Sequence, residues 1–203
     1  MTLSQDLFNE INMHLLEDER PSLYFNDISK KPVFKQYHLE LLNNLKKAEQ
    51  SPKHHPEGNV WNHTMLVVDE AAKVRNESHD KKVFMWAALL HDIGKPDTTK
   101  IRKGRITSYD HDKVGAELAR KFLCECTDDE GFIEKTAELI RWHMQILFVV
   151  KKLPFADIKT MQEKTDINEV ALLGFCDRMG RLEPDRKKEE ENIRKFLEIC
   201  KKM

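Results

Sequence analysis

The chain has 203 residues, of which 40% are hydrophobic and 34% are charged, a composition typical of one globular domain or a core domain with an extension. Its 34 basic and 35 acidic side chains give a formal net charge of −1, which excludes the overall basic excess of a dedicated nucleic-acid-binding protein but not a local phosphate-binding cluster. No apolar run approaches the roughly 20 residues of a membrane span, and the N-terminus lacks the basic start and apolar stretch of a signal peptide, so we expect a cytoplasmic protein that does not bind membranes.

The first part of the chain predicts short helices joined by a loop. Seven glycines and seven prolines leave few interruptions, so the chain is expected to be mainly helical. The pattern predicts an amphipathic helix over residues 7–16, a loop over 21–32 and a second helix over 34–50. We expect residues 1–50 to form a helical extension that packs on a core domain of residues 51–203.

The core domain is predicted to begin with two buried helices. Residues 60–74 carry their apolar side chains at helical spacing, which predicts one buried stripe. The segment Val83–Asp92 is apolar nearly all round, which is typical of a central buried helix. Gly94 and Pro96 follow this segment and supply a stop.

The second half of the chain predicts a hairpin and further helices. A Lys103-Gly104 turn indicates a small β-hairpin or an ordered loop near residues 97–109. Pro154 and Pro184 lie near expected helix starts, where a missing N–H is tolerated. The remaining helices are expected over residues 111–124, 131–147, 154–164, 168–180 and 185–202. The predicted fold is therefore an all-α bundle with at most one small hairpin.

Two acidic residues lie in segments that are too apolar to leave them solvated. Asp92 ends the predicted central helix, and Asp177 ends another helix with little polar surface. An ionised carboxylate out of water is costly unless it is paired or coordinates a metal. Ion pairs with Lys95 for Asp92, and with Arg178 or Arg181 for Asp177, are the alternatives. A cation shared between the two acids explains both.

Histidines complete a candidate metal site. His63 lies beside the apolar stripe of residues 60–74, His91 precedes Asp92, and His143 ends an apolar pattern. Singly, His63 and His143 also suit hydrogen-bonded core positions, and His111 also suits a solvated helix start. Imidazole with carboxylate indicates Mn, Fe, Co, Ni or Zn rather than calcium. Surface positions are expected for the histidines outside these contexts, which are His14, His38, His54 and His79.

Three ordered motifs carry a resemblance to a known family. They are HHPEGNVWNHT (54–64), ALLHDIGKPDTT (88–99) and YDHDKVGAELA (109–119). With the downstream Asp177, they resemble the HD-domain metal-dependent phosphohydrolases, and in particular the HD domain behind the catalytic head of bacterial CCA-adding enzymes and related poly(A) polymerases. The resemblance covers about residues 50–180. That head needs a Gly-Ser element followed by an Asp-x-Asp pair, and this sequence has no Gly-Ser dipeptide, so we expect a free-standing HD protein that does not extend RNA.

The resemblance implies a role for each candidate residue. One divalent transition metal would be bound by His63, His91, Asp92 and Asp177, with Mg a further option in a second site. His111 and His143 would hold that second metal or touch the substrate. Lys95 would lie near the phosphate, and Asp92 and Lys95 are the predicted catalytic residues.

The implied activity is hydrolysis of a phosphate ester. Family reactions include phosphomonoesterase, nucleotidase and 2′,3′-cyclic phosphodiesterase chemistry on a nucleotide or small phosphorylated metabolite, with an RNA 3′ end as a further partner. Two alternatives keep the same ligands: a regulatory module that binds metal and nucleotide without turnover, and a di-iron oxygenase on an HD scaffold. Lys95 favours phosphate chemistry over oxygen chemistry.

Overall fold

The N-terminal segment is more helical than its sequence predicts. The computed structural model describes residues 3–35 and 39–202. Helix α1 (Leu3–Glu17) contains the predicted helix over residues 7–16, but α2 (Pro21–Ile28) occupies the segment predicted as a loop, so that prediction is wrong. Pro21 stands at the first helical position, where no N–H is needed. The backbone N–H and hydroxyl of Ser22 both donate to Asp69 (3.0 and 2.7 Å), a contact 47 residues away that no local pattern reports.

The helix predicted over residues 34–50 is also wrong in its extent. A 3-10 turn over Pro32–Lys35 comes first, and α3 (Leu39–Asn44) runs into a second 3-10 turn over Leu45–Lys47. The side chain of Asn59 donates to the carbonyl of Lys46 (3.1 Å), so tertiary contacts stabilise a shorter helix. Residues 36–38 lie outside the described residues, and the prediction for His38 lies there with them.

Two helices at the centre of the molecule match the sequence closely. Helix α4 (Val60–Val74) is capped by Asn59, whose side chain accepts from the N–H of Asn62. Helix α5 (Lys81–Leu90) is capped by Asp80, and it is buried from Val83 to its end. It contacts α1, α4, α8 and α11. The central buried helix predicted from Val83–Asp92 is therefore confirmed.

A small hairpin follows the central helix. The four-residue helix α6 (Lys95–Thr98) leads into β1 (Thr99–Arg102), which pairs antiparallel with β2 (Arg105–Ser108). Lys103 and Gly104 between the strands have φ values of 50° and 71°, the positive values that a tight two-residue turn requires. The hairpin predicted near residues 97–109 is present.

The remaining helices complete an all-α bundle. They are α7 (His111–Cys124), α8 (Glu130–Trp142), α9 (Gln145–Val150), α10 (Ile158–Lys164), α11 (Ile167–Met179) and α12 (Arg186–Cys200). The predicted helix over residues 131–147 is two helices, with the break at His143 and Met144. The helix predicted from Pro154 begins at Ile158, because Asp157 caps it by accepting from the N–H of Thr160 (3.2 Å).

The N-terminal helices pack on the centre of the bundle. Helix α1 contacts α4 and α5, α2 contacts α4, and α12 covers α9 and α11. A division at residue 50 stays a prediction. In the described ranges, no helix combines the length and the apolar character needed to cross a bilayer.

Candidate metal centre

Five helices bring six polar side chains to one buried point. His63 lies in α4, Asp177 lies in α11, and His111 is the first residue of α7. His91 and His143 are the C-terminal caps of α5 and α8, and Asp92 follows His91. Every one of the six is buried, with exposed fractions of 0% for His63 and His91, 1% for Asp92, 2% for His143, 6% for Asp177 and 7% for His111.

Asp92 lies at the centre of this cluster. Its Oδ2 is 3.2 Å from Nε2 of His91 and 3.9 Å from Nε2 of His63, while its Oδ1 is 3.5 Å from Nε2 of His111. Nε2 of His63 also lies 3.0 Å from Oδ1 of Asp177. Asp92 belongs to two sets of residues with metal-ligand spacing. One set is His63, His91 and Asp92, and the other is Asp92, His111 and His143. Within each set the ligand atoms lie within 4.8 Å of one another.

The four histidines of the cluster are held in the same way. Each ring places Nδ1 against a backbone carbonyl, which can only accept, so Nδ1 carries the hydrogen and a neutral ring keeps its lone pair on Nε2. This is how metal-binding histidines are usually oriented. In His63, Nε2 also lies 3.0 Å from the acceptor Oδ1 of Asp177, so its lone pair becomes available when that ring loses a proton. The carbonyls belong to Gly180 for His63 (3.1 Å), Ala88 for His91 (2.9 Å), Ser108 for His111 (2.7 Å) and Ile140 for His143 (2.6 Å).

Three ligand atoms at the centre lack hydrogen-bond partners. Nε2 of His91, Oδ2 of Asp92 and Nε2 of His111 are buried and make no hydrogen bond of good geometry with the described residues, although Oδ2 of Asp92 has an ion-pair partner in Lys95. An unsatisfied buried polar group costs about 1–3 kcal/mol. A divalent cation between these atoms would satisfy all three, and mixed imidazole and carboxylate donors suit a transition metal. The residues present therefore fit a metal.

The electrostatics favour the ligand forms of the two acids and of His111 and His143. His63 is different, because Asp177 and Glu57 outweigh burial and raise its pKa, so a metal there would displace a proton. Burial alone would raise the pKa of both carboxyls, but His91 and Lys95 hold the pKa of Asp92 well below its usual range. Arg178 and His63 do the same for the pKa of Asp177. Burial, with the charges of His111 and His91, lowers the pKa of His143 to about 3, and burial also lowers the pKa of His111. Ionised acids and neutral imidazoles are what a cation requires.

Lys95 lies beside the cluster rather than in solvent. Its Nζ is 2.7 Å from Oδ2 of Asp92, and it donates to Oε1 of Gln50 (2.6 Å). Its side chain is 11% exposed. The ion pair given above as the alternative for Asp92 is thus present. This ion pair leaves Nε2 of His91 and Nε2 of His111 available to a metal, so the ion pair and a bound metal are compatible.

The cluster lies against a large open cavity of about 1270 Å³. One part of its lining is polar and includes Asp92, Lys95, His111, His143 and Asp177, together with Arg178 and Arg181. Arg178 lies 3.9 Å from Asp177. Nε of Arg181 is buried without a hydrogen-bond partner among the described residues. This part of the cavity can bind an anion.

Sequence reasoning missed two residues behind His63. Oε1 of the buried Glu57 lies 3.0 Å from Nδ1 of His63 and 2.8 Å from Nδ1 of His55. Hydrogen bonds from His63 and the backbone outweigh burial and lower the pKa of Glu57 to about 2. Both missed residues precede α4 outside any periodic segment. The motif HHPEGNVWNHT, which contains them, is the one signal that could have found them.

The histidines predicted to be surface residues differ from one another. His79 and His54 are exposed, although His54 lines the cavity. His14 is half-buried, because its ring stacks on Tyr24 (centroids 3.8 Å apart) and its Nδ1 contacts Asp18 (2.9 Å), so a surface position is wrong for it.

A family model matches the part of the chain that carries the cluster, and known proteins are similar to parts of the chain. The model of the HD domain family matches residues 60–178. The Multifunctional CCA protein of Halorhodospira halophila is 33% identical over 95 residues, which are 47% of this chain and 21% of that protein. The corresponding protein of Methylococcus capsulatus is 24% identical over 190 residues, 91% of this chain and 37% of that protein. The A-adding tRNA nucleotidyltransferase of Deinococcus radiodurans is 39% identical over 64 residues, 30% and 15% of the two chains. The chain spans less than two fifths of each relative.

Proposed function

The chain belongs to the HD domain family, a family of metal-dependent phosphohydrolases, and on that basis we propose that its buried cluster hydrolyses the phosphate ester of a nucleotide or small phosphorylated metabolite. The observation that carries this proposal is the set of unsatisfied ligand atoms around Asp92, beside a cavity with cationic side chains. The relatives named above are CCA-adding and A-adding proteins. An RNA 3′ end is therefore a further candidate substrate.

The proposed ligands of the first metal are His63, His91, Asp92 and Asp177, with His111 and His143 available for a second ion. A divalent ion supplies Lewis-acid polarisation of a phosphoryl oxygen and lowers the pKa of water when it is bound. The shared position of Asp92 between the two sets supports either one or two ions. The donor types allow Mn, Fe, Co, Ni or Zn.

Cationic side chains would meet the phosphate. Lys95 is held 2.7 Å from Asp92 and faces the cavity, so its ammonium can neutralise non-bridging oxygens as negative charge grows on them. Arg181 lines the same cavity with an unpaired Nε, and a guanidinium can bind two phosphate oxygens at once. In phosphoryl transfer, such positioning and charge stabilisation supply most of the catalysis.

Proton handling is proposed for Asp92 rather than for the outer histidines. Asp92 carries negative charge, so its carboxylate can accept a hydrogen bond from an attacking water and orient it. A general acid must carry its proton near neutral pH. Burial lowers the pKa of His111 and His143, which favours a ligand role for them over protonation of the leaving oxygen.

Phosphate release from a defined panel tests this function. The panel contains 2′-, 3′- and 5′-nucleoside monophosphates, 2′,3′-cyclic nucleotides, ribose 5-phosphate and an RNA with a 3′-terminal phosphate. We expect metal-dependent release from at least one member, and a loss of about 100-fold or more in Asp92→Asn. His79→Ala is the matched control, because His79 is exposed and contacts Asp166, which is not part of the cluster. No release from any member with any of the five metals would contradict the proposal.

A further inference from the structure

One wall of the cavity is apolar and has no part in the chemistry proposed above. It is formed by α9 and the loop before α10, and its members are Leu147, Phe148, Leu153, Pro154 and Phe155. The ring of Phe155 is 57% exposed. Large apolar side chains on a surface are common singly, but a cluster in a concave site is typical of ligand binding.

The loop that carries Phe155 is fixed from beneath. Gln145 is 1% exposed, and both polar atoms of its side-chain amide bond the loop near Phe155. Its Nε2 donates to the carbonyl of Phe155 (3.3 Å), and its Oε1 accepts from the N–H of Asp157 (2.9 Å). The N–H of Leu153 also donates to the carbonyl of Phe148 (2.8 Å). A buried glutamine therefore holds an exposed aromatic residue in place.

The two aromatic rings of this wall form a surface for another ring. Phe148 and Phe155 have centroids 5.5 Å apart and planes inclined by 59°, so Phe148 supports the edge of Phe155 and leaves much of its ring exposed. Tyr109, which is 56% exposed, lines the same cavity, and the guanidinium of Arg102 lies 5.0 Å from its centroid. Both exposed rings thus border the space into which the phosphate-binding groups open.

The size and chemistry of the cavity indicate what this wall would bind. A cavity of about 1270 Å³ is far larger than a phosphate requires and reaches the scale of pockets for larger organic ligands. An aliphatic chain would favour an enclosed apolar tunnel, whereas this wall lies in an open cavity that polar residues, including Arg102 and Asp157, also line. A flat heterocycle with a polar edge suits it better, because its face can stack while its edge stays solvated.

We propose that Phe155, supported by Phe148 and Gln145, binds the aromatic base of a terminal nucleoside phosphate. The phosphate of this ligand would lie at Lys95 and Arg181, and that placement rests on the function proposed above. The ligand is either a free mononucleotide or the last nucleotide of an RNA, since both present one base and one terminal phosphate.

Equilibrium binding tests the inference without depending on turnover. The probes are methylenephosphonate analogues of AMP and of ribose 5-phosphate, which differ only in the base, and calorimetry on the metal-loaded protein measures both affinities. Because stacking on an aromatic side chain strengthens binding by about tenfold or more, we expect the AMP analogue to bind at least that much more tightly. Phe155→Ala should abolish this preference and leave the affinity for the ribose analogue unchanged, while Phe155→Trp should keep it.

Leu23→Ala is the matched control, because Leu23 is 60% exposed and does not line the cavity. A third probe, a trinucleotide with a 3′-terminal phosphonate, identifies the source of the base by binding more or less tightly than the AMP analogue. Equal affinity for the two small probes in the wild-type protein, or an equal loss of both in Phe155→Ala, would overturn the inference. Absence of phosphate release from the panel above, with the base preference intact, would instead overturn the proposed hydrolysis alone.

Discussion

Glu57 shows at the residue scale how a side chain outside the ligand set can control it. Its carboxylate lies 3.0 Å from Nδ1 of His63, next to the carbonyl of Gly180 that the same nitrogen contacts. Together they fix the hydrogen on Nδ1 and direct Nε2 toward the centre. A negative charge behind the ring also makes the imidazole a stronger donor to a cation.

Glu57→Gln is expected to weaken metal binding while it preserves the shape of the site. Partners behind a ligating histidine typically contribute about 10- to 100-fold in metal affinity, so we expect a loss in that range. Competition with a chromophoric chelator measures it, and Asp166→Asn serves as the control, since the histidine that Asp166 contacts is the exposed His79, which lies outside the cluster. Unchanged affinity in Glu57→Gln would show that the Gly180 carbonyl alone orients His63.

Lys95 is expected to act on substrate rather than on the metal. Lys95→Ala should lower kcat/KM by about tenfold or more, equivalent to about 1.4 kcal/mol, because a phosphate oxygen loses its cationic partner. Metal content should stay, since a protonated lysine has no lone pair to donate. The control is Lys73→Ala, an exposed lysine of α4 paired with Glu70. Normal kinetics with a lowered melting temperature would assign Lys95 to stability alone.

The site residues that could be predicted from the sequence are polar residues in apolar helices or members of the three motifs. His91, Asp92 and Asp177 are polar groups in apolar helices, and the motifs marked His63 and His111. The features it missed depend on contacts across the chain, such as the carbonyl of Gly180, which lies 117 residues from His63. Exposed Phe155 was missed for a similar reason, because its support by Gln145 is a tertiary contact.

At the scale of elements, the centre depends on the close approach of α7 to the turn after α5. Gly94 lies in that turn. A Cβ built on it would lie 2.3 Å from the carbonyl oxygen of His111 and 2.6 Å from the N–H nitrogen of Gly115. Both contacts are with backbone, so no side-chain rotation can relieve them. The short distance keeps His111 near Asp92.

Gly94→Ala is therefore expected to displace α7. Forced overpacking of this kind costs about 1–3 kcal/mol, which denaturant unfolding would measure, and the metal affinity should fall as His111 moves away. Gly131→Ala is the matched control, because its Cβ would meet nothing closer than a side-chain oxygen of Asp129 at 3.6 Å. Equal stability of the two variants would show that the turn relaxes without moving α7.

Helices could be predicted from the sequence where one face is buried. Their predicted bounds were unreliable where tertiary contacts determine where a helix begins or ends. Helices α4, α5 and α7 match their predictions closely because their apolar patterns are local, and the caps of α4 and α5 are local as well. Helix α2 was missed because its start depends on the bonds from Ser22 to Asp69. The break between α8 and α9 was missed because apolar residues continue through it, and periodicity does not register a change of direction over two residues.

At the scale of the whole molecule, the buried histidines link stability to pH. In the metal-free protein, burial lowers the pKa of His143 to about 3, and burial with the charge of Lys95 lowers the pKa of His55 to about 4. Both rings have a pKa near 6.5 when unfolded. Their contribution is therefore intact above about pH 6.5 and is lost as the pH falls toward 4, because the unfolded chain then binds protons that the folded chain does not.

His63 opposes this trend. Burial favours its neutral form, but Asp177 and Glu57 outweigh burial and raise its pKa, so its contribution to stability is present at acidic pH and is lost as the pH rises.

Replacing His143 tests this balance between the buried histidines. His143→Asn should lose less stability than the wild-type protein between pH 7 and pH 5, measured by thermal unfolding after chelation of metals. A parallel decline in the two proteins would exclude His143 as a source of acid sensitivity.

Elemental analysis of the purified protein shows whether the buried cluster holds a divalent metal. We expect at least one equivalent of a transition metal in the wild-type protein and in His79→Ala. His91→Ala and Asp177→Ala, each folded as judged by circular dichroism, should lose it, because each removes a donor that the fold places at the centre. Full retention of the metal in both variants would contradict the ligand assignment, and with it the account of the site.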